Sequence, residues 1–100
     1  AAGAIGSGVI NQNQSMISLG TSGVYFSPTS TFSSNTNNAV HSFCHCLPDT
    51  WHHMSVMLSA TNCLDWICHL YGLETISAIN SAKKFFNDSF IPSSAPFFLP

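Results

Sequence analysis

A turn with two glycines between two short apolar runs constrains the fold of this chain more than any other feature. The turn occupies residues 18–23, and the apolar runs occupy residues 15–17 and 24–26. This order predicts a β-hairpin. The two glycines would let a ligand approach the backbone without a Cβ in the way, and Thr21 and Ser22 add hydroxyl and N–H donors. Small donors on a tight turn suit a phosphate group, and an ordinary glycine-rich hairpin is the alternative.

The composition indicates a piece of a larger protein. One hundred residues suffice for one small domain, and the sequence shows no internal repeat and no domain boundary. Only 6% of the residues are charged, against about 25% in an average soluble domain. A surface so poor in charge would keep a free-standing domain in solution poorly. The chain also begins at Ala1 without a Met or a signal peptide and ends in an apolar run, so we expect a segment of a longer polypeptide.

Charge and hydropathy argue against a nucleic-acid partner and against a membrane span. The net charge is −2, and the Lys and Arg content is limited to Lys83 and Lys84, whereas nucleic-acid binding needs a cluster of basic residues. No window contains the roughly 18–20 uninterrupted apolar residues of a membrane-spanning helix. The four cysteines lie within predicted strands and a predicted helix, with no mark of secretion. We therefore expect reduced thiols in a cytosolic protein.

The pattern along the chain predicts four strands, two helices and one further strand, after the end of a tightly packed helix at 1–8. We expect the hairpin at 16–26, an exposed loop at 28–38, strands at 40–47 and 51–57, helices at 59–71 and 74–86, a loop at 87–95 and a strand at 97–99. Ser59 or Thr61 is expected to cap the first of the two helices, and Gly72 is expected just past its end.

Each of these two helices has one apolar face at helical spacing. The residues expected to point inward are Leu64, Ile67, Cys68 and Tyr71 in the first helix and Ile76, Ile79, Ala82 and Phe86 in the second. Glu74 in the first turn of the second helix, with Lys83 and Lys84 near its last turn, would suit the helix dipole.

Six segments, in order, carry a family resemblance. They are residues 18–26, 39–45, 47–48, 51, 54–60 and 63–66, with the sequences SLGTSGVYF, AVHSFCH, LP, W, MSVMLSA and CLDW. Together they resemble the xylulokinases, which are FGGY carbohydrate kinases. The resemblance extends from Ala1 to about Gly72, weakens from 73 to 94 and returns at 98–100. Gly-Thr-Ser-Gly alone is a weak signal, but the ordered set is specific.

The resemblance implies an α/β fold, part of a ribonuclease-H-like domain of the actin- and hexokinase-type ATPases, with β-hairpins followed by helices. Residues 1–14 would end the first domain of a two-domain kinase and connect it to the second, and residues 15–100 would form the N-terminal part of the second domain. The enzyme would transfer the γ-phosphate of ATP to a hydroxyl of D-xylulose. Related kinases use glycerol, gluconate, ribulose or fuculose, and the residues that select the sugar lie outside this chain.

The resemblance also assigns the ATP phosphates to Gly20, Thr21 and Ser22 of the turn and to Ser59 before the helix. Unpaired N–H groups at a helix start attract phosphate, which agrees with that assignment. Mg²⁺ would accompany ATP, and the partners would be the sugar, the rest of the same polypeptide and, in a homodimer, a second copy. No catalytic residue is expected within the chain, because the general-base Asp would lie just before Ala1.

This chain alone should therefore phosphorylate nothing. A non-catalytic nucleotide-binding or structural module of the same fold is the alternative function, and the intact turn at 20–23 favours ATP use over a decayed copy.

Histidines and cysteines crowd the predicted strands at 40–47 and 51–57 without the spacing of a metal site. Structural zinc sites usually take cysteines from C-x2-4-C turns. Strand alternation would instead put Cys44 and Cys46 on one face and His41, Phe43 and His45 on the other. We expect sheet residues here, including His52 and His53, some of them neutral and hydrogen-bonded. Because adjacent strand residues point to opposite faces, we expect neither Cys44 nor Cys46 to be a nucleophile activated by His45.

Overall fold

An antiparallel sheet of four strands organises this chain. The computed structural model describes residues 2–88 and Ser94. The elements are helix α1 (Ala2–Gly6), strands β1 (Met16–Leu19) and β2 (Gly23–Thr29), a 3-10 helix (Thr36–Asn38), strands β3 (His41–Cys44) and β4 (Trp51–Met57), and helices α2 (Thr61–Tyr71) and α3 (Thr75–Asp88). The strand predicted at 97–99 and most of the loop predicted before it lie outside the described residues.

The strands lie in the order β1-β2-β4-β3, and each neighbouring pair is antiparallel. β1 and β2 form the predicted hairpin, in which Leu19 is opposite Gly23. β4 pairs with all seven residues of β2, with Gly23 opposite Met57. The turn between β1 and β2 therefore lies next to the segment that follows β4, so the register of the sheet positions the candidate site.

The core lies on one face of the sheet, around Phe26. The Phe26 side chain is 2% exposed, and Ala4 and Val9 pack against it from the N-terminal segment. Pro28 and His52 lie opposite each other on β2 and β4, and both are buried. Because side chains two residues apart share a face, Phe26 and Pro28 cover the core together.

Pro28 corrects the predicted exposed loop at 28–38. β2 continues to Thr29, and Pro28 is fully buried rather than exposed. β1 begins only at Met16, opposite Phe26, so β2 has no neighbouring strand on that side at Pro28. A strand tolerates a residue without an N–H group at such an open position.

Helix α2 begins two residues later than predicted. Ala60 is its N-cap and no side-chain hydrogen bond caps the helix, so the expected cap by Ser59 or Thr61 is wrong. Carbonyl oxygens of the hairpin accept the N–H groups of Ala60 and Thr61, two donors at the helix start that have no partner within the helix. The end is as predicted: Gly72 has a left-handed φ of 62° and donates its N–H to the carbonyl of His69.

The apolar face of α2 is partly buried, whereas that of α3 is exposed within the described residues. In α2, Cys68 is buried and Leu64 and Ile67 are half-buried, but Tyr71 is 69% exposed. In α3, the four residues predicted to point inward are all exposed: Ile76, Ile79, Ala82 and Phe86. That prediction is wrong here because neither the sheet nor α2 covers this face. None of the described helices is long and apolar enough to cross a membrane.

The charges at the ends of α3 also differ from the prediction. α3 begins at Thr75, so Glu74 precedes the first turn, where its carbonyl accepts the N–H of Ala78. At the other end, α3 extends to Asp88, and Lys83 and Lys84 therefore fall before the last turn. Neither end carries the side-chain charge that would complement the helix dipole.

Candidate functional site

Hydrogen bonds join the hairpin turn to the start of α2. The N–H of Ala60 donates to the carbonyl of Thr21 at 2.7 Å, and the N–H of Thr61 donates to the carbonyl of Gly20 at 2.9 Å. The hydroxyl of Thr61 donates to the same Gly20 oxygen at 2.7 Å. The fold thus brings Gly20 and Thr21 beside the segment that contains Ser59, although about forty residues separate them in sequence.

The two carbonyls that face α2 orient the N–H groups of the turn. In a trans peptide the carbonyl and the N–H of one unit point in opposite directions. Because the carbonyls of Gly20 and Thr21 point toward α2, the N–H groups of Thr21 and Ser22 point away from it. Within residues 2–88 neither N–H has an acceptor, and both residues are exposed. Consecutive N–H groups that project to one side form a concavity suited to an anion.

The hydroxyls of the other three predicted site residues differ in their availability to a ligand. The Ser22 hydroxyl donates to the carbonyl of Leu58 at 2.9 Å, so its proton already holds the turn against the end of β4. The exposed Thr21 hydroxyl and the half-buried Ser59 hydroxyl have no hydrogen-bond partner among the described residues. A ligand could therefore take a hydrogen bond from Thr21 without breaking a protein contact, whereas Ser22 offers its N–H.

The two glycines of the turn differ in how much space an added side chain would have. A Cβ on Gly23 would lie 3.1 Å from Cε of Met57 and 3.3 Å from Cβ of Ala60, so close packing against β4 and the start of α2 favours a glycine there. A Cβ on Gly20 would have no neighbour nearer than 3.8 Å, the carbonyl oxygen of Ser22. Gly20 is the exposed position whose backbone stays open to a ligand.

The start of α2 has fewer open donors than a free helix start would have. Unpaired N–H groups at this helix start are the phosphate donors expected from the sequence, and those of Ala60 and Thr61 are already donated to the turn. The N–H of Asn62, the second residue of α2, has no acceptor among the described residues, so this donor stays open together with those of Thr21 and Ser22 in the hairpin. The role of Thr61 at the turn was not foreseen, because only the pairing of β2 with β4 places the two segments together.

Two buried histidines belong to the core. His45 and His52 are 8% and 6% exposed, and His52 stacks on Phe26 with ring centroids 4.4 Å apart. Nδ1 of His45 accepts the N–H of Leu47 at 3.1 Å. Burial lowers the pKa of His52. Nε2 of His53 lies 2.8 Å from the Ser33 hydroxyl, so the expected hydrogen bond of this sheet histidine is present.

The expected separation of His45 from its neighbouring cysteines is only partly correct. Cys44 pairs with Trp51 and Phe43 with His52, so the alternation holds along β3. β3 ends at Cys44, however, and Sγ of Cys46 lies 3.7 Å from Nδ1 of His45. The local pair does form, because strand geometry no longer separates adjacent side chains. Among the described residues, no group of three or more His, Cys, Asp or Glu could hold a metal ion.

Comparisons with known proteins connect this geometry to a family. No protein-family model matches the chain. The xylulose kinase of Escherichia coli K12 is 53% identical over 92 residues, which make up 92% of this chain and 19% of that protein. The xylulose kinase of Klebsiella pneumoniae is 51% identical over 89% of this chain and 18% of its own length. The chain is homologous to xylulose kinases.

A solved structure extends the likeness to the fold. A crystal structure described as that of a "xyloylose kinase from Brucella ovis" matches with a TM-score of 0.66 and 41% identity, over 70% of this chain and 15% of that one. This match confirms the predicted α/β class and is consistent with an actin- and hexokinase-type fold. The chain spans about a fifth of the length of the curated xylulose kinases it matches.

Proposed function

We propose that this chain supplies the phosphate-binding hairpin of an ATP-dependent sugar kinase that transfers the γ-phosphate of ATP to a hydroxyl of D-xylulose. The observation that carries the proposal is the pair of unpartnered N–H groups of Thr21 and Ser22, which point away from α2 on an exposed turn. The names of the homologous xylulose kinases supply the reaction and the sugar. In this proposal residues 1–14 end one kinase domain and residues 15–100 begin the next.

Within the site, each residue has a distinct part. Gly20 leaves the backbone open, and Thr21 donates both its N–H and its free hydroxyl to phosphate oxygens. Ser22 donates its N–H while its hydroxyl stays on Leu58, and Ser59 offers a further hydroxyl beside the turn. Hydrogen bonds to a charged acceptor contribute about 1.5–3 kcal/mol each, so a small set of donors suffices to hold phosphate groups.

Mg²⁺ fits this proposal as a companion of the nucleotide rather than as an ion held by this chain. The described residues contain no group of carboxylates or histidines that could hold a metal ion. Mg²⁺ is commonly held by substrate phosphates together with one or two carboxylates, and here those carboxylates would come from outside this chain. The donors of the turn contribute positioning and electrostatic stabilisation of phosphate charge, which dominate catalysis of phosphoryl transfer.

The proton of the sugar hydroxyl needs an acceptor that this chain does not provide. The carboxylates Asp49, Asp65 and Glu74 are scattered among the described residues and form no pair. We place the general base on an Asp that precedes Ala1 in the full kinase. We place the full kinase in the reducing cytosol, where the four cysteines of this chain would stay thiols.

A coupled assay of ADP release tests this function on the full-length polypeptide that carries the chain. We expect ADP release that requires both ATP and D-xylulose, with glycerol, gluconate and ribulose as comparison sugars. Residues 1–100 alone should give no turnover. Nucleotide binding without sugar-dependent ADP release would contradict the kinase proposal and favour the non-catalytic module.

A further inference from the structure

We propose that Thr61 is a positioning residue for phosphate binding, acting through the carbonyl of Gly20; the inference rests on the function proposed above. Thr61 donates two hydrogen bonds to one acceptor, its N–H at 2.9 Å and its hydroxyl at 2.7 Å. A carbonyl oxygen has two lone pairs, so both are engaged. Two donors from one residue fix the plane of the Gly20–Thr21 peptide more firmly than a single bond would.

The orientation of this peptide matters because its other end carries the N–H of Thr21. If the peptide plane rotated, the N–H would turn away from the ligand as the carbonyl turned away from Thr61. Backbone hydrogen bonds hold the flanks of this peptide: the N–H of Gly20 donates to the carbonyl of Ser22 at 3.0 Å, and the carbonyl of Thr21 accepts from Ala60. Side-chain packing adds little restraint at Gly20, which is exposed and where an added Cβ would have no neighbour nearer than 3.8 Å. The Thr61 hydroxyl therefore adds a side-chain restraint on the orientation of this peptide, which Gly20 itself has no side chain to provide.

The hydroxyl of Thr61 is used for the turn and not for its own helix. Thr61 is the first residue of α2, but no side-chain hydrogen bond caps that helix. Its hydroxyl reaches instead to a residue 41 positions earlier in the sequence. A hydrogen bond of that kind holds the phosphate-binding turn at a fixed distance from α2, which a helix cap would not do.

Three variants of the full-length kinase separate positioning from stability. Thr61→Val removes the hydroxyl at nearly constant volume, and Thr61→Ser retains it. Thr50→Val is the matched control, because the Thr50 hydroxyl also donates to a backbone carbonyl, that of Pro48 at 2.9 Å. Thr50 lies just before β4, about 20 Å along that strand from the turn.

We expect Thr61→Val to lower kcat/KM for ATP about tenfold, with KM for the sugar unchanged. The kcat/KM of Thr61→Ser for ATP should remain within about twofold of the wild-type value, and that of Thr50→Val should equal the wild-type value. Binding of a non-hydrolysable ATP analogue, measured by calorimetry, should weaken in Thr61→Val alone. If Thr61→Val does not fold, Thr61→Ala replaces it, since the smaller side chain fits the same site.

Two results would overturn the inference. One is unchanged ATP kinetics in Thr61→Val or its replacement; the other is an equal loss in Thr61→Val and Thr61→Ser, because a hydroxyl-dependent role requires rescue by serine. Failure of the proposed function is distinguishable, since the wild type itself would then show no sugar-dependent ADP release.

Discussion

The imidazole of His52 stacks on the ring of Phe26, with centroids 4.4 Å apart and planes at 28°. His45 approaches both rings, with its centroid 5.6 Å from Phe26 and 5.8 Å from His52. Nδ1 of His52 is buried without a hydrogen-bond partner among the described residues. Burial lowers the pKa of His52, so the core favours the neutral form of this ring.

Acid should therefore destabilise the fold through His52. Its folded pKa lies below the ordinary value of 6.5, so the unfolded chain binds the extra proton as the pH falls. The stability that His52 contributes is fully present above about pH 6.5 and is lost as the pH falls through that value toward the folded pKa. Urea unfolding of the full-length protein between about pH 8 and about pH 5 measures the effect.

A pair of variants isolates that contribution. His52→Gln should flatten the dependence of the unfolding free energy on pH in this range. His69→Gln, at an exposed position on α2, should keep the wild-type dependence. Equal slopes for the two variants would show that His52 is not the group responsible.

Thr21→Val should weaken ATP use without unfolding the protein. The change removes a hydroxyl that has no partner among the described residues, so stability should change little. Loss of one phosphate-directed hydrogen bond should cost about 1.5–3 kcal/mol, or about tenfold to a hundredfold in kcat/KM. Steady-state kinetics with ATP as the varied substrate measure it, with Thr21→Ser as the control that retains the donor. Unchanged kinetics in Thr21→Val would remove this hydroxyl from the site.

The two glycines of the turn should respond differently to alanine. Gly23→Ala would place a Cβ 3.1 Å from the flexible end of Met57, which can shift, and 3.3 Å from Cβ of Ala60. The N–H of Ala60 is hydrogen-bonded to the turn, so relief of that second contact would displace the start of α2. We expect a loss of about 1–3 kcal/mol in unfolding free energy. Gly20→Ala meets nothing closer than 3.8 Å and should leave stability nearly unchanged. Urea unfolding compares them, and equal stabilities would contradict the packing of Gly23.

The features of the fold that depend on neighbouring residues in the sequence could be predicted, whereas those that depend on distant residues could not. The hairpin follows from a local pattern of apolar run, glycine turn and apolar run, and the end of α2 follows from Gly72. The position of Pro28 does not follow from local pattern, because its place in β2 and its burial depend on pairing with β4, where it lies opposite His52. The start of α2 was misplaced because its N–H groups bond to a turn about forty residues earlier.

The candidate site shows the same division. Gly20 and Thr21 could be singled out from their residue types, but the orientation of the turn depends on the pairing of β2 with β4. The role of Thr61 depends on that long-range pairing as well. The alternation rule failed between His45 and Cys46 because β3 ends before them, and a strand end is not marked in the sequence.

The cysteines should behave as free thiols in a protein without stoichiometric zinc. Cys44 and Cys46 are exposed and should react first with a thiol reagent, whereas Cys68 is buried and should react only on unfolding. After denaturation, all four cysteines of this chain should titrate as thiols. Elemental analysis of the purified full-length protein checks the metal, and one zinc per chain would overturn this prediction.

The most direct measurement of the central claim is a crystal structure of the full-length polypeptide with a non-hydrolysable ATP analogue, Mg²⁺ and D-xylulose. The account predicts phosphate oxygens within hydrogen-bond distance, about 2.7–3.2 Å, of the main-chain nitrogens of Thr21 and Ser22. The carbonyls of Gly20 and Thr21 should still accept from Thr61 and Ala60. Nucleotide phosphates bound elsewhere, with these two N–H groups facing solvent, would contradict it.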